Sequence, residues 1–135
     1  MEELTREEIC IFVDRSLSDR QYNEELNFSI PLKTIERVKE VLYLDLNGYV
    51  GVISSHSVRH IKRGHSNDVE YICEIFEIIQ KFSKVNKSLT KDHKTGASLV
   101  SLEFYRKYNE QTVKLVKLKI HKDKRLELKT LFIKD

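Results

Sequence analysis

The stretch SLVSLEFYRKYNEQTVKLVKLKIHKDKRLELKTLFIKD, residues 98–135, alternates apolar and polar side chains over most of its length. Val100, Leu102 and Phe104 alternate with Ser101, Glu103 and Tyr105. Val116, Leu118 and Ile120 alternate with Lys117, Lys119 and His121, and Leu126, Leu128 and Phe132 with Glu127, Lys129 and Leu131. A period of two sends successive side chains to opposite faces of a strand, so this segment predicts three strands of one antiparallel meander. KYNEQ and HKDKR are short, charged, hairpin-like connections, and the slip in phase between Leu115 and Val116 marks a bulge. Val85 to Leu89 is a candidate fourth strand.

Upstream the period becomes helical. Asn67 is a candidate cap with Glu70 three residues on, and Ile72, Ile75, Phe76, Ile79 and Phe82 form an apolar stripe opposite Glu70, Glu74, Glu77 and Lys81. One helix from Asp68 to about Phe82 follows. At the other end, Thr5 with Glu8 is a capping-box pattern ahead of Ile9, Phe12, Val13 and Leu17, predicting a helix from about Thr5 to Leu17. Between these helices Leu26, Phe28 and Ile30 suit a short strand or extended link. Ile35, Val38 and Leu42 suit a helix, and Asn47-Gly48 suits a turn into a buried strand through Ile53. Helices first and a C-terminal antiparallel sheet of about four strands define an α+β domain with helices packed on one sheet face.

A chain of 135 residues, 40% hydrophobic, is sized for a single domain with its own core. Cys10 and Cys73 sit in apolar periodic stretches without metal-site or redox-motif spacing, so they read as reduced core residues of a cytoplasmic protein. No apolar run reaches the roughly 18 residues that span a bilayer, and the acidic start MEELTREEIC is unlike a signal peptide. The net charge of +3 is uneven, with Lys and Arg dominating from Lys81 onward, which permits a polyanionic partner. The runs Lys114–Lys119 and Lys122–Arg125 read as the solvated face and turn of strands.

Chemistry concentrates in SSHSVRHIKRGHS, residues 54–66. Ser54 or Ser55 caps a short helix, and Gly64 is placed to end it in the left-handed conformation. His56, Arg59, His60 and Arg63 then share one helix face, with Lys62 beside them and His65 just beyond. Imidazole titrates near ~6.5 and can take or give a proton at neutrality, so two histidines with neighbouring cations suit RNA transphosphorylation. One removes the 2′-hydroxyl proton, the other protonates the leaving 5′-oxygen, and Arg or Lys stabilises the phosphoryl oxygens. Thr130, on the same row as Leu126, Leu128 and Phe132, is a candidate hydroxyl, and Tyr105 and Arg106 are candidate substrate contacts. His56, His60 and His65 also have the spacing of metal ligands, but Arg59, Lys62 and Arg63 oppose a divalent ion, and neither a metal nor a cofactor is expected.

ISSHSVRHIKRGHS, the following amphipathic helix, and the strands SLEFYRK, VKLVKLKI and LELKTLFIKD resemble phage-associated members of the barnase, EndoU, colicin and RelE nuclease superfamily. The similarity covers about residues 46–135 and leaves residues 1–45 as a helical N-terminal extension. It implies a small sheet with helices on one face, a metal-independent RNA-cleaving site, and a phage or mobile-element setting. The matching positions are His60 and His65, a basic residue at Lys62 or Arg63, and Thr130, with His56 more loosely placed. RNA, including tRNA, is then the expected partner of a toxin-like endoribonuclease that a second protein neutralises, with no membrane partner. The alternative is a catalytically silent RNA- or protein-binding module of the same fold.

Overall fold

The capping box at Thr5 forms as read from the sequence. The Glu8 N–H donates to Thr5 Oγ1 and Glu8 Oε1 accepts from the Thr5 N–H, each at 3.2 Å, and helix α1 runs over Arg6–Ser18. The structure is a computed structural model that describes residues 4–91, 95–120 and 122–134, so His93 and His121 lie outside the described residues. Strand β1 (Glu25–Ser29) follows, then helix α2 (Leu32–Leu42) and strand β2 (Val50–Ser54), reached through a turn in which Gly48 has φ +82. Helix α3 (Ser55–Gly64) leads to a 3₁₀ helix (Val69–Glu74) and helix α4 (Ile75–Lys81). Strands β3 (Lys84–Lys91), β4 (Ser98–Tyr108), β5 (Gln111–Ile120) and β6 (Arg125–Lys134) complete the chain.

The α+β class stands, but the sheet has six strands rather than about four, in the order β1-β2-β6-β5-β4-β3. The meander β3 to β6 is antiparallel as expected. The two added strands come from upstream: β2 pairs with β6 in parallel and β1 pairs antiparallel with β2. Residues 4–45 therefore contribute a strand as well as helices, and Ile9, Phe12, Val13 and Phe28 share one buried cluster with Leu102, Phe104, Leu115 and Leu128. Helices α2, α3 and α4 pack against β3, β6 and β4 respectively, on the face that carries those core residues. No described helix is long and apolar enough to cross a membrane.

Three local expectations are corrected. The segment after Asp68 is a 3₁₀ turn followed by a separate α-helix, because three residues per turn align Val69, Ile72 and Ile75 toward the core. Asn67 is not its cap: the residue at that position is Asp68, which makes no capping hydrogen bond and whose carboxylate instead accepts the Ile133 N–H of β6 at 3.0 Å. Gly64 is not left-handed; α3 includes it, and the cap is His65 with φ −142. Cys10 and Cys73 are not free thiols but a disulfide joining α1 to the 3₁₀ helix. The cytoplasmic placement that rested on reduced cysteines loses that support.

The bulge also behaves differently from its sequence signal. It falls between Val116 and Lys117 in the pairing of β5 with β6, where Val116 faces Thr130 and Lys117 faces Leu128. The extra residue lies in β6, so β5 keeps its alternation and Val113, Leu115 and Lys117 all point to the core. Lys117 is thus fully buried, against its reading as part of a solvated strand face. Its Nζ has no hydrogen-bond partner and sits 4.6 Å from the centre of the Phe28 ring. Phe28 in turn lies over Gly51, its cross-strand partner, where a Cβ would collide with the ring.

Two outcomes are expected. Burial pushes the Lys117 ammonium down to about 7, whereas an unfolded lysine titrates near ~10.4. Between those values the unfolded chain holds the extra proton, so unfolding free energy gains a positive slope with pH, and below them the penalty is complete. Lys117→Met will be more stable than wild type by up to roughly 4 kcal/mol near neutrality, with the gap closing toward about pH 10. Urea denaturation across that range checks this, and a pH-independent gap would refute it. Dithiothreitol or Cys73→Ser will cost roughly 2–4 kcal/mol through the lost crosslink. Melting curves that do not respond to reductant would show that the bond contributes nothing.

Candidate functional site at the edge of β6

Strand β2 pairs with β6 only from Arg125 to Glu127, which leaves the later part of that edge without a strand neighbour. Helix α3 and the turn after it close it. Ser54 caps α3 by accepting the Ser57 N–H at 3.1 Å, and Ser57 Oγ donates to the Leu128 carbonyl of β6 at 2.8 Å. Asp68 then takes the Ile133 N–H, so the segment that carries the histidines is fastened to β6 at two points. Ser55, Val58 and Ile61 face inward, and His56, His60, Lys62, Arg63 and His65 are exposed.

The single cationic face expected on α3 divides. Arg59 turns toward the end of α1, where Nε donates to the Ser16 carbonyl at 2.9 Å and Nη1 to Asn23 Oδ1 at 2.9 Å. Its Nη2 donates to the carbonyls of Asp19 and Tyr22. All three guanidinium nitrogens are thereby bound to the protein's own acceptors, and Arg59 clamps the α1–β1 connection. His56, Lys62 and Arg63 line the groove between α3 and α1, together with Leu17 and Arg20. His65 turns to β6 instead and stacks on Phe132, with ring centres 4.9 Å apart and planes 17° from parallel.

Phe132 and Thr130 sit on the sheet face away from the helices. The bulge puts Thr130 opposite Val116 and Phe132 opposite Lys114, while Leu126, Leu128, Leu131 and Ile133 keep to the helix side. Thr130 therefore does not share the row of Leu126 and Leu128 assigned from sequence. Tyr105 lies on the outer face too, since its partners are Lys84 and Lys114. The ammonium groups of Lys134, Lys84 and Lys114 stand 5.2, 5.6 and 5.7 Å from its ring centre, and Lys114 is also 5.6 Å from that of Phe132. Arg106, next in sequence, is on the other face, where it binds Glu77 at 3.0 Å and the Lys81 carbonyl at 2.9 Å. The structure thus brings His65, Thr130 and Tyr105 to one side of the sheet and sets Arg59 and Arg106 apart as braces.

Two residues to which the sequence reading gave no site role complete this surface. Glu103 lies beside Tyr105, whose hydroxyl it accepts at 3.4 Å, and pairs with Lys114 at 3.3 Å. Burial pulls the Lys114 ammonium down, but its hydrogen bond to and charge attraction by Glu103, with Tyr105, outweigh that and leave it above the ordinary lysine value. Glu103 and Lys114 were legible in principle, because both occupy polar positions of the alternation on hairpin-paired strands. The surface offers a carboxylate, an imidazole, ammonium groups and hydroxyls, the groups that acid–base chemistry at a phosphodiester requires. Among the described residues, no three His, Cys, Asp or Glu side chains converge as a metal site.

Replacing Arg59 separates its structural part from any part in binding. Arg59→Ala removes a multiply bonded, half-buried guanidinium and will destabilise the fold by roughly 2–4 kcal/mol, whereas His60→Ala, at an exposed position, will stay within about 0.5 kcal/mol. Thermal melts of the two variants check this, and equal melting temperatures would remove the clamp assignment. No protein-family model matches the chain, and neither a curated protein nor a solved structure matches it.

Proposed function

We propose that the chain is a metal-independent endoribonuclease with a barnase-like arrangement, cleaving RNA by attack of the 2′-hydroxyl on the adjacent phosphorus. The observation that carries this reading is the stacking of His65 on Phe132 at the border of a sheet face bearing Glu103, Tyr105, Lys114 and Thr130. An imidazole on an aromatic ring keeps both ring nitrogens at the border of a cationic surface, where a phosphodiester is attracted and a proton can be exchanged. His60 and His65 form the acid–base pair. Lys114, with Tyr105 and Thr130, supplies donors to the phosphoryl oxygens, which gain charge as the cyclic phosphate forms and the 5′-oxygen leaves. The resemblance of residues 46–135 to phage-associated members of the barnase, EndoU, colicin and RelE superfamily supports the same reading. With it come tRNA as a candidate substrate, a cytoplasmic site of action, and a neutralising protein partner.

One observation favours a second reading, a catalytically silent RNA- or protein-binding module. Among the described residues no hydrogen bond orients the imidazoles of His60 or His65, whereas catalytic histidines are commonly held by a third group. Incubation of the purified protein with total tRNA and a generic single-stranded RNA in excess EDTA separates the two. The nuclease reading expects fragments with 2′,3′-cyclic ends and a loss of roughly 10²–10⁴ in rate for His60→Ala or His65→Ala. Salt-sensitive RNA binding without cleavage by folded protein would establish the silent module instead.

A further inference from the structure

We infer that the groove between α1 and α3 is a second, non-catalytic site that binds the phosphate backbone of single-stranded RNA, and that Arg20 and Arg63 are its principal contacts. This rests on the RNA reading above and adds a site on the other side of α3 from the outer sheet face. The groove encloses about 470 Å³ and is lined by Leu17, Arg20, His56, Arg59, Lys62 and Arg63. Four of these six side chains are permanent cations, one is an imidazole, and none is a carboxylate. Such a concentration of one sign at a concave surface attracts a polyanion.

The cations there are uncommitted apart from Arg59. Among the described residues Arg20, Lys62 and Arg63 take part in no ion pair. Asp19, the carboxylate adjacent to Arg20, accepts the Gln21 N–H at 2.9 Å and does not line the groove. Lys62 also borders a neighbouring hollow that holds Asp14 and Glu70, so it is the less exclusive contact. Arg20 and Arg63 remain as planar donors suited to paired phosphate oxygens.

The groove is also preformed. Arg59 ties the carbonyls of Ser16, Asp19 and Tyr22 to α3, which holds the segment carrying Arg20 against the helix carrying Arg63. The same bonds satisfy carbonyls at the C-terminal end of α1, whose partial negative charge would otherwise oppose an anion. A phosphate therefore meets a backbone frame already in place, and the ordering left on binding is that of the arginine side chains themselves. A continuous backbone fits better than a protein's acidic segment, because His65, just past the end of the same helix, borders the proposed cleavage site through its stacking on Phe132. A strand held there has its next phosphates to place.

The test is fluorescence anisotropy of a labelled single-stranded 12-mer RNA at several salt concentrations, with folding checked by thermal melts. It compares wild type, Arg20→Gln, Arg63→Gln and, as a control, Lys33→Gln on α2. Each arginine variant is expected to weaken binding roughly tenfold and to reduce the slope of log affinity against log salt by about 0.7, while Lys33→Gln stays within about twofold. Cleavage of a dinucleotide, too short to reach the groove, should be the same in Arg20→Gln as in wild type. Wild-type RNA binding and cleavage that neither arginine variant alters, or equal weakening by Lys33→Gln, would overturn the groove assignment and leave the nuclease reading standing. Failure of folded wild type to bind RNA would overturn both. Tighter binding of an oligoglutamate peptide than of RNA, lost in Arg20→Gln, would overturn the RNA assignment in favour of an acidic protein segment.

Discussion

The edge of β6 decides where everything else in this molecule can sit. A buried strand edge leaves donors and acceptors that must find partners. β2 satisfies this one over three residues only. Beyond it, two side chains take over, Ser57 on the Leu128 carbonyl and Asp68 on the Ile133 N–H, and both belong to the segment that begins where β2 ends. The chain leaves the sheet and runs on as a helix along the same edge. The histidine-bearing segment thus lies beside the middle of the sheet instead of projecting from a loop, and its position is fixed by hydrogen bonds that specify register.

The core beneath tolerates one costly choice. Lys117 occupies a position that the bulge in β6 leaves on the helix side, and its amine is accommodated by the face of the Phe28 ring without a hydrogen bond. Phe28 can occupy that place only because its cross-strand neighbour is Gly51. An ammonium on an aromatic face recovers a kcal/mol or two at most, less than the desolvation it suffers, which is why burial pushes its titration toward neutrality. The disulfide joins α1 to the 3₁₀ helix within the helical layer, closing a loop across a sequence separation of 63.

What sequence made visible and what it hid divide along physical lines. Local signals held: the Thr5 capping box, the Asn47-Gly48 turn, the serine cap of α3 and the alternation of β4 each depend on residues a few positions apart. Quantities set by distant partners did not. The bulge could be suspected from a break in β5, but which strand absorbs the extra residue depends on pairing, and that decides that Lys117 turns inward and Thr130 outward. Asp68 looked like part of a helix start because its true partner, Ile133, is on another element. Arg59 looked like a free cation sharing a helix face with His56, His60 and Arg63, and only the return of the α1–β1 connection to that face gives it four acceptors. Cys10 and Cys73 were unremarkable in spacing because their pairing is a property of how α1 meets the 3₁₀ helix.

The same division separates binding from bracing among the charged residues. Arg59 uses all three guanidinium nitrogens and Arg106 both of its Nη nitrogens on the protein itself, and both hold a helix end: Arg59 that of α1, Arg106 that of α4 through the Lys81 carbonyl. Donors so committed gain little from a ligand, since each new bond would replace an existing one. Arg20, Arg63, Lys84 and Lys134 are exposed and have no ion pair among the described residues. They fall into two groups on either side of α3 and the edge it closes, one along α1 and one across Tyr105. A helix fastened to a strand edge between two cationic surfaces can let one polyanion touch both, and His60 and His65 belong to the segment such a chain would have to cross.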